Sequence, residues 1–325
     1  MSRNSNKALR IISIYERLNR GELLKRKKLA KKYAVSPKTI TRDINDLNTY
    51  LSSFYKYNED KLIKYSQSQG GYLLENTGDN FLTSQEILGI TKVLLESRAF
   101  NESEMNKILD KLIHKTTPAS RKQLEERISN ERFHYTPVRH NQNLLDIIWE
   151  ISQAILKQKV VNIKYNKPGK TELISRKIDP LGIMFSEFYF YLIAHNHKSN
   201  DDFKIVYRLD RICKLEISDM NFQLNYTNRF QEGEFRKKVQ FMTAGELMTV
   251  KFKFRGILEA VLDRLPTARI LEENNGEYIL EAEVYGPGIK MWFLSQGERL
   301  EVISPQSFRE KMKSTIKKML KSYKN

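Results

Sequence analysis

The segment Leu29–Leu47, LAKKYAVSPKTITRDINDL, leaves this chain few folds to choose from, because it specifies two short helices meeting at a tight turn. Ser36 is placed to accept from the free N–H groups that open a helix, and Pro37 follows at the first helical position, where a missing N–H costs nothing. At about 100° per residue, Ile40, Ile44, Leu47 and Leu51 fall on one stripe. Lys38, Arg42, Asn45 and Thr49 fall on the opposite side, flanked by Thr39 and Thr41. One face is thereby committed to a core and the other to solvent. In the preceding helix Leu29, Ala30 and Tyr33 form the apolar side, while Lys25, Arg26, Lys27, Lys28, Lys31 and Lys32 crowd the other. This is the layout of a helix-turn-helix reader of double-stranded DNA, with Ser36, Lys38, Thr39, Thr41, Arg42 and Asn45 as the expected contact residues.

The charge balance points the same way. Met1 to Tyr33 carries eleven lysines and arginines, Lys7, Arg10 and Arg17 among them, against Glu16 and Glu22 alone. Such an excess favours phosphate contact, which supplies sequence-independent affinity by counterion release. The whole chain has a net charge of +17 and a pI near 9.6, in keeping with an anionic partner, although charge alone does not separate DNA from RNA or a membrane surface. At 325 residues the chain is too long for a lone DNA-binding module and suggests two or three domains. Its single cysteine, Cys213, excludes an intrachain disulfide and a cysteine-rich zinc site, and its neighbours Ile212 and Leu215 suggest an inert packing role. The N-terminus MSRNSNKALR has no following apolar block of the secretory kind, and the most apolar stretch, Gly182–Ala194, is broken by Ser186 and Glu187 and is too short to span a bilayer. A cytoplasmic protein with no membrane segment is expected.

Along the chain the pattern changes four times. Leu62–Tyr65 and Tyr72–Leu74 are β-prone runs joined by SQSQGG, a β-hairpin wing, so residues 1–78 read as a winged helix-turn-helix whose first helix spans Lys7–Asn19. From Phe81 the spacing turns helical, with Thr83 and Glu86 as a capping box and Ile87, Ile90, Val93 and Leu94 at helix intervals. Met105, Ile108, Leu109, Leu112 and Ile113 give a second stripe, and a polar third segment runs Ser120–Ser129; residues 79–138 read as a helical connector. After a helix at Asn143–Lys157 come five short strands, VVNIKY, ELISRKI, FYFYLIAH, FKIVYRL and ICKLEIS, which suggest a strongly bent sheet or barrel over 139–225. A polar bridge near Asn225–Lys238 leads to strand-helix-strand-strand-helix-strand over 235–325, the ferredoxin-like order, closed by a lysine-rich helix from Pro305.

Three segments of the middle module, SRKIDPLGI at 175–183, FYLIAH at 190–195 and YRLDRI at 207–212, resemble the WYL-domain transcriptional regulators. The three-letter signature stands as Phe190-Tyr191-Leu192, with phenylalanine in place of the usual tryptophan. The order of segments is also similar to that family, ending in GPGIKMWFLSQGERLEVISP as its C-terminal extension. The resemblance implies an α+β multidomain protein: a winged helix-turn-helix, a helical connector, an Sm-like β-barrel WYL domain that senses a nucleotide or single-stranded nucleic-acid effector, and a ferredoxin-like extension. It implies Arg176, Tyr191, His195, Arg208 and Arg211 as the effector pocket. Chemistry supports such a pocket: Tyr191 and His195 share strand parity, and arginine offers a planar fork for phosphate. The alternative is that Arg208 or Arg211, which flank Asp210, forms an ion pair inside the fold, and that Tyr191 serves as barrel core. His195 and His197 form an H-x-H, but no third ligand is evident, so no metal and no cofactor are expected.

A ligand-responsive regulator on promoter DNA is therefore expected, as a homodimer, since half-sites about 34 Å apart match two symmetric reading helices. The alternatives are a nucleic-acid-processing enzyme and an architectural or single-strand-binding protein without a switch. The enzyme reading has no G-x-x-x-x-G-K-[ST], H-E-x-x-H or G-x-S-x-G motif behind it. Gly286-Pro287-Gly288 reads as a turn before a helix.

Overall fold

The apolar stripes read from the sequence become the core of the first of two units into which the chain divides, Met1–Pro137 and Val138–Asn325. The computed structural model describes residues 3–19, 21–54, 61–76, 82–116, 118–169, 172–198, 204–223, 230–243 and 245–324. The expected boundaries at 78 and 225, the connector start at Phe81 and the strand start at Phe203 lie outside these residues.

The first unit opens with α1 (Arg3–Asn19), α2 (Arg26–Lys32) and α3 (Pro37–Phe54), followed by a hairpin of β1 (Lys61–Ser66) and β2 (Gly71–Asn76). Ile14 and Leu18 of α1, Leu29 of α2, and Ile40, Ile44, Leu47 and Leu51 of α3 are each 5% exposed or less, and Ile63 of β1 joins them. Full burial of such a side chain stabilises by about 1.5–3 kcal/mol, so this shared centre holds the three helices in one arrangement. The hairpin is antiparallel with Tyr65 opposite Tyr72, and Gly70 takes the left-handed φ of +66° that the reversal requires. Leu24 exchanges two 2.9 Å backbone hydrogen bonds with Tyr72, tying the chain ahead of α2 to the hairpin.

Three further helices follow, α4 (Ser84–Ser97), α5 (Glu102–Ile113) and α6 (Pro118–Phe133). The capping box forms: Glu86 N donates to Thr83 Oγ1 at 3.2 Å and Thr83 N to Glu86 Oε2 at 2.6 Å. Asn101 caps α5 through Glu104 N at 2.9 Å. The expected stripe of α4 holds at Ile87, which is fully buried, but not at Ile90 and Val93, which are 37% and 70% exposed; Thr91 and Leu95 are buried with Ile87. Spacing of four residues from Ile87 selects a different face from the one the aliphatics suggest.

The second unit begins with α7 (Leu145–Leu156) over an antiparallel sheet of β3 (Lys159–Tyr165), β4 (Ile174–Ser186), β5 (Tyr189–Asn196), β6 (Ile205–Arg208) and β7 (Ile212–Asn221). The order is β6-β5-β4-β3-β7, and among the described residues no ladder joins β6 to β7. The expected barrel is thus an open sheet; β6 has only 4 residues and turns into β7 through a single 3₁₀ turn, Leu209–Arg211. β4 runs to Ser186, beyond its expected end at Ile178, because a register shift between Pro180 and Gly182 lets it bend and continue. On one side the sheet packs Ile163, Ile178, Leu192 and Ala194 with α7; on the other Val160, Leu181, Met184 and Ile193 meet Phe235 of α8 (Glu232–Lys238). That helix occupies part of the expected polar bridge. A Cβ on Gly182 would stand 2.4 Å from Glu232 Oε1 and 2.9 Å from the Phe230 ring, so a larger residue there would have to displace both side chains.

The rest of the unit is β8 (Leu247–Arg255), α9 (Leu258–Arg264), β9 (Arg269–Asn274), β10 (Glu277–Tyr285), α10 (Gly286–Ser295), β11 (Leu300–Ser304) and α11 (Gln306–Ser322). The antiparallel order β11-β8-β10-β9 places β10 between β8 and β9, as the interleaved β-α-β-β-α-β motif requires. Val250, Phe252, Leu280 and Val284 pack under Ile289 and Phe293 of α10. Gly286-Pro287-Gly288 forms the first turn of α10 itself, and a Cβ on Gly288 would stand 1.9 Å from the Gln240 carbonyl oxygen. No helix among the described residues is long and apolar enough to cross a membrane.

Candidate nucleic-acid interface and effector site

The outward face of α3 mixes hydroxyls bonded within the helix with exposed, longer polar side chains. Ser36 Oγ accepts from Thr39 N at 3.2 Å and shares a 2.9 Å hydroxyl contact with Thr39. Thr41 Oγ1 donates to Pro37 O at 3.2 Å and Thr49 Oγ1 to Asn45 O at 3.0 Å. These hydroxyls are turned back onto their own helix, whereas Lys38, Arg42 and Asn45 are exposed. Of the six expected contact residues, these three retain free side chains for base edges or phosphates, and Ser36, Thr39 and Thr41 build the helix start. Lys25, Arg26, Lys27, Lys28, Lys31 and Lys32 all lie exposed along α2.

Part of the positive charge read as uncompensated is in fact paired. Asp43, completely buried, accepts from Arg10 Nε at 2.6 Å and Nη2 at 3.2 Å, a bidentate clamp between α3 and α1. The hydrogen bond to Asp43 holds the Arg10 guanidinium above its ordinary pKa, against the opposing effect of burial. Lys7 pairs with Asp46 at 2.9 Å and Arg17 with Glu22 at 2.8 Å. Asp43 was legible as special: it lies three residues after Ile40 and four before Leu47, an acid inside an apolar stripe. Less visible was Asn48, whose Nδ2 donates to Ile63 O at 3.0 Å and whose Oδ1 accepts from Ile63 N at 2.8 Å, so that a side chain of α3 pairs with β1 as a strand would.

The five residues expected around an effector divide between two faces of the sheet. Tyr191 stands opposite Arg208 in the β5/β6 ladder and shares its face. Arg208 stacks on Tyr189, its Cζ 3.4 Å from the ring centroid, and forms two hydrogen bonds to Asp210, at 3.0 and 2.7 Å. Burial lowers the Arg208 pKa, but the hydrogen bonds and charge of Asp210 more than offset this and hold it raised. Burial likewise pushes the Tyr191 hydroxyl up, against the charges of Arg208 and Arg211. Tyr189, Tyr191, Arg208 and Arg211 thus form one aromatic and cationic cluster. His195 lies further along β5, opposite Asp179, which bonds His197 Nδ1 at 2.7 Å.

Arg176 belongs elsewhere. It stands opposite Ile163, on the α7 side, where its Nη1 donates to Ser175 O at 3.0 Å and its charge opposes the effect of burial on the Tyr207 hydroxyl, which lies beside Tyr165. It also lines an open groove of about 450 Å³ with Lys164, Lys177 and Lys214, which lone lysines in strands gave no reason to expect. Cys213 is exposed rather than packed, since Ile212 takes the inward position at that point of β7. Among the described residues no group of three or more His, Cys, Asp or Glu side chains is arranged to hold a metal ion.

Residues 146–217 match the WYL domain model, and residues 246–320 match that of the WCX domain. The chain is a WYL-domain protein. Within this WYL-domain protein the matched segments coincide with α7 through β7 and with β8 through α11. No curated protein matches it. Among solved structures it is similar to proteasome accessory factor B/C (PafBC) of Arthrobacter aurescens, at 15% identity over 93% of this chain and 46% of that one, with a TM-score of 0.32. A protein described as CRISPR Cas-related shares 14% identity over 76% of this chain and 75% of its own, with a TM-score of 0.37. The WYL-domain protein spans less than half the length of the first of these.

Proposed function

We propose that this WYL-domain protein is a DNA-binding transcriptional regulator and not an enzyme. Residues 1–78 act as a winged helix-turn-helix, 79–138 as the connector, 139–225 as the ligand-sensing module and 235–325 as a ferredoxin-like dimerisation module. One observation carries the reading: α3 is clamped from beneath by Asp43 and three turns of buried aliphatics, while Lys38, Arg42 and Asn45 stay exposed on its other side. A helix held this way presents a fixed pattern of donors to a major groove. The lysine side of α2 and the pinned hairpin supply backbone contacts, which set orientation without reading sequence. In the second unit Tyr189 and Tyr191 offer rings for stacking a base and Arg208 and Arg211 a charged fork for its phosphate, so the effector is a nucleotide or a short single strand. Effector binding biases the DNA-binding parts of a homodimer between two arrangements of differing DNA affinity.

Selection from a pool of random duplexes tests this. The full chain should enrich a two-fold symmetric site with half-sites about 10 base pairs apart, or a multiple of that. Recovery of unenriched sequence after repeated rounds would overturn the regulator reading.

A further inference from the structure

In α11 the side chains of Phe308 and Met312 are buried in the core, and the same stripe continues as Ile316, Met319, Leu320 and Tyr323, which are 51%, 47%, 55% and 86% exposed. The last two turns of the helix leave their apolar face uncovered. Lys317 and Lys324 stand one turn before and after Leu320, and no acidic residue occurs from Lys311 to Lys324. At the opposite edge of the same sheet lies β9, every residue of which is exposed. Ile270 and Leu271 are each 44% exposed there, next to Glu272 and Glu273. An edge strand that leaves two aliphatics and its outer backbone groups open invites a partner.

We propose that these surfaces are the two halves of one interface: the distal α11 of each copy lies on β9 of a second copy of this chain. Charge selects the occupant. A lysine-flanked apolar helix is repelled by most of a chain of net charge +17, and the β9 edge combines exposed aliphatics with adjacent glutamates. Within one chain the two surfaces stay exposed at opposite edges of the sheet, so they meet only between copies. Made twice, by each copy on the other, the contact closes a dimer and leaves neither surface free to propagate. This inference rests on the dimeric part of the proposed function.

Sedimentation velocity of the full chain over a concentration series tests it with four proteins: the unaltered chain, Glu272→Lys with Glu273→Lys, Lys317→Glu with Lys324→Glu, and all four substitutions together. All four positions are exposed, so the fold should tolerate reversal. The unaltered chain should dimerise, each two-residue reversal should weaken dimerisation by about tenfold or more, and the combination should recover most of the loss. A monomer at every concentration would overturn the dimeric reading and the interface together. A dimer indifferent to both reversals, or one weakened without recovery, would overturn the interface alone; the second result would mean that α11 and β9 do not face each other in the dimer.

Discussion

Ala34 shows what the tight turn ahead of α3 demands of a single residue. Its φ is +51°, a left-handed conformation in which Cβ crowds the following carbonyl, and Val35 N still reaches Ala30 O at 3.0 Å. Glycine meets no such crowding, so Ala34→Gly should stabilise the first unit by about 0.5–1 kcal/mol in urea unfolding, after allowing for the freedom glycine gains in the unfolded chain. Unchanged or lower stability would show that the turn is not left-handed. Other single residues were plainly legible. Ser36 caps as its position before Pro37 implies, and the four aliphatics of α3 are buried at their expected spacing. The hydroxyls of Ser36, Thr39 and Thr41, expected as contacts, are engaged within their own helix start, because a hydroxyl there has a near partner in its own backbone.

Elements were legible where their signals are local, and less so where a distant contact decides. The box of Thr83 with Glu86 fixes the start of α4 from residues three apart, and the alternation of the C-terminal module gives every strand and helix in order. By contrast β4 looks finished at Ile178 until a register shift against β5 between Pro180 and Gly182 carries it on, and α8 exists because Phe235 has a core to enter across the sheet. The separation of Arg176 from Tyr191 has the same origin, since parity along a strand says nothing about which strand's odd positions share a face with another's even ones. Asn48 is the element-scale contact with the clearest consequence. Replacing it by leucine removes both bonds to Ile63 and leaves a partly buried N–H and C=O unpaired, at a cost of about 1–3 kcal/mol. Hydrogen exchange across 61–76 should then accelerate while Ile40–Leu51 stays protected; an unaltered hairpin would show that its strands need no help from α3.

At the scale of the molecule, two kinds of cationic surface are separated by chemistry. The N-terminal one is broad and lysine-rich, suited to a polyanion's backbone; the cluster at Arg208 is small, stacked and hydrogen-bonded, suited to one or two nucleotides. Arg208→Ala should therefore weaken binding of a labelled single-stranded oligonucleotide by about tenfold or more, in line with about 1.5–3 kcal/mol for a hydrogen bond to a charged group, and leave duplex affinity nearly unchanged. Equal single-strand binding would move the effector site, with the lysine groove around Arg176 as its next location.

In the proposed function α3 reads DNA through Lys38 and Arg42. Its most direct test is the affinity of the Lys38→Ala, Arg42→Ala double variant for the duplex selected by the unaltered chain, compared with a scrambled duplex at the same salt. At about 1–3 kcal/mol for each base-edge contact, the selected duplex should lose about 30-fold or more and the scrambled one far less, collapsing the difference between them. Equal binding of the selected duplex by both proteins would contradict the claim.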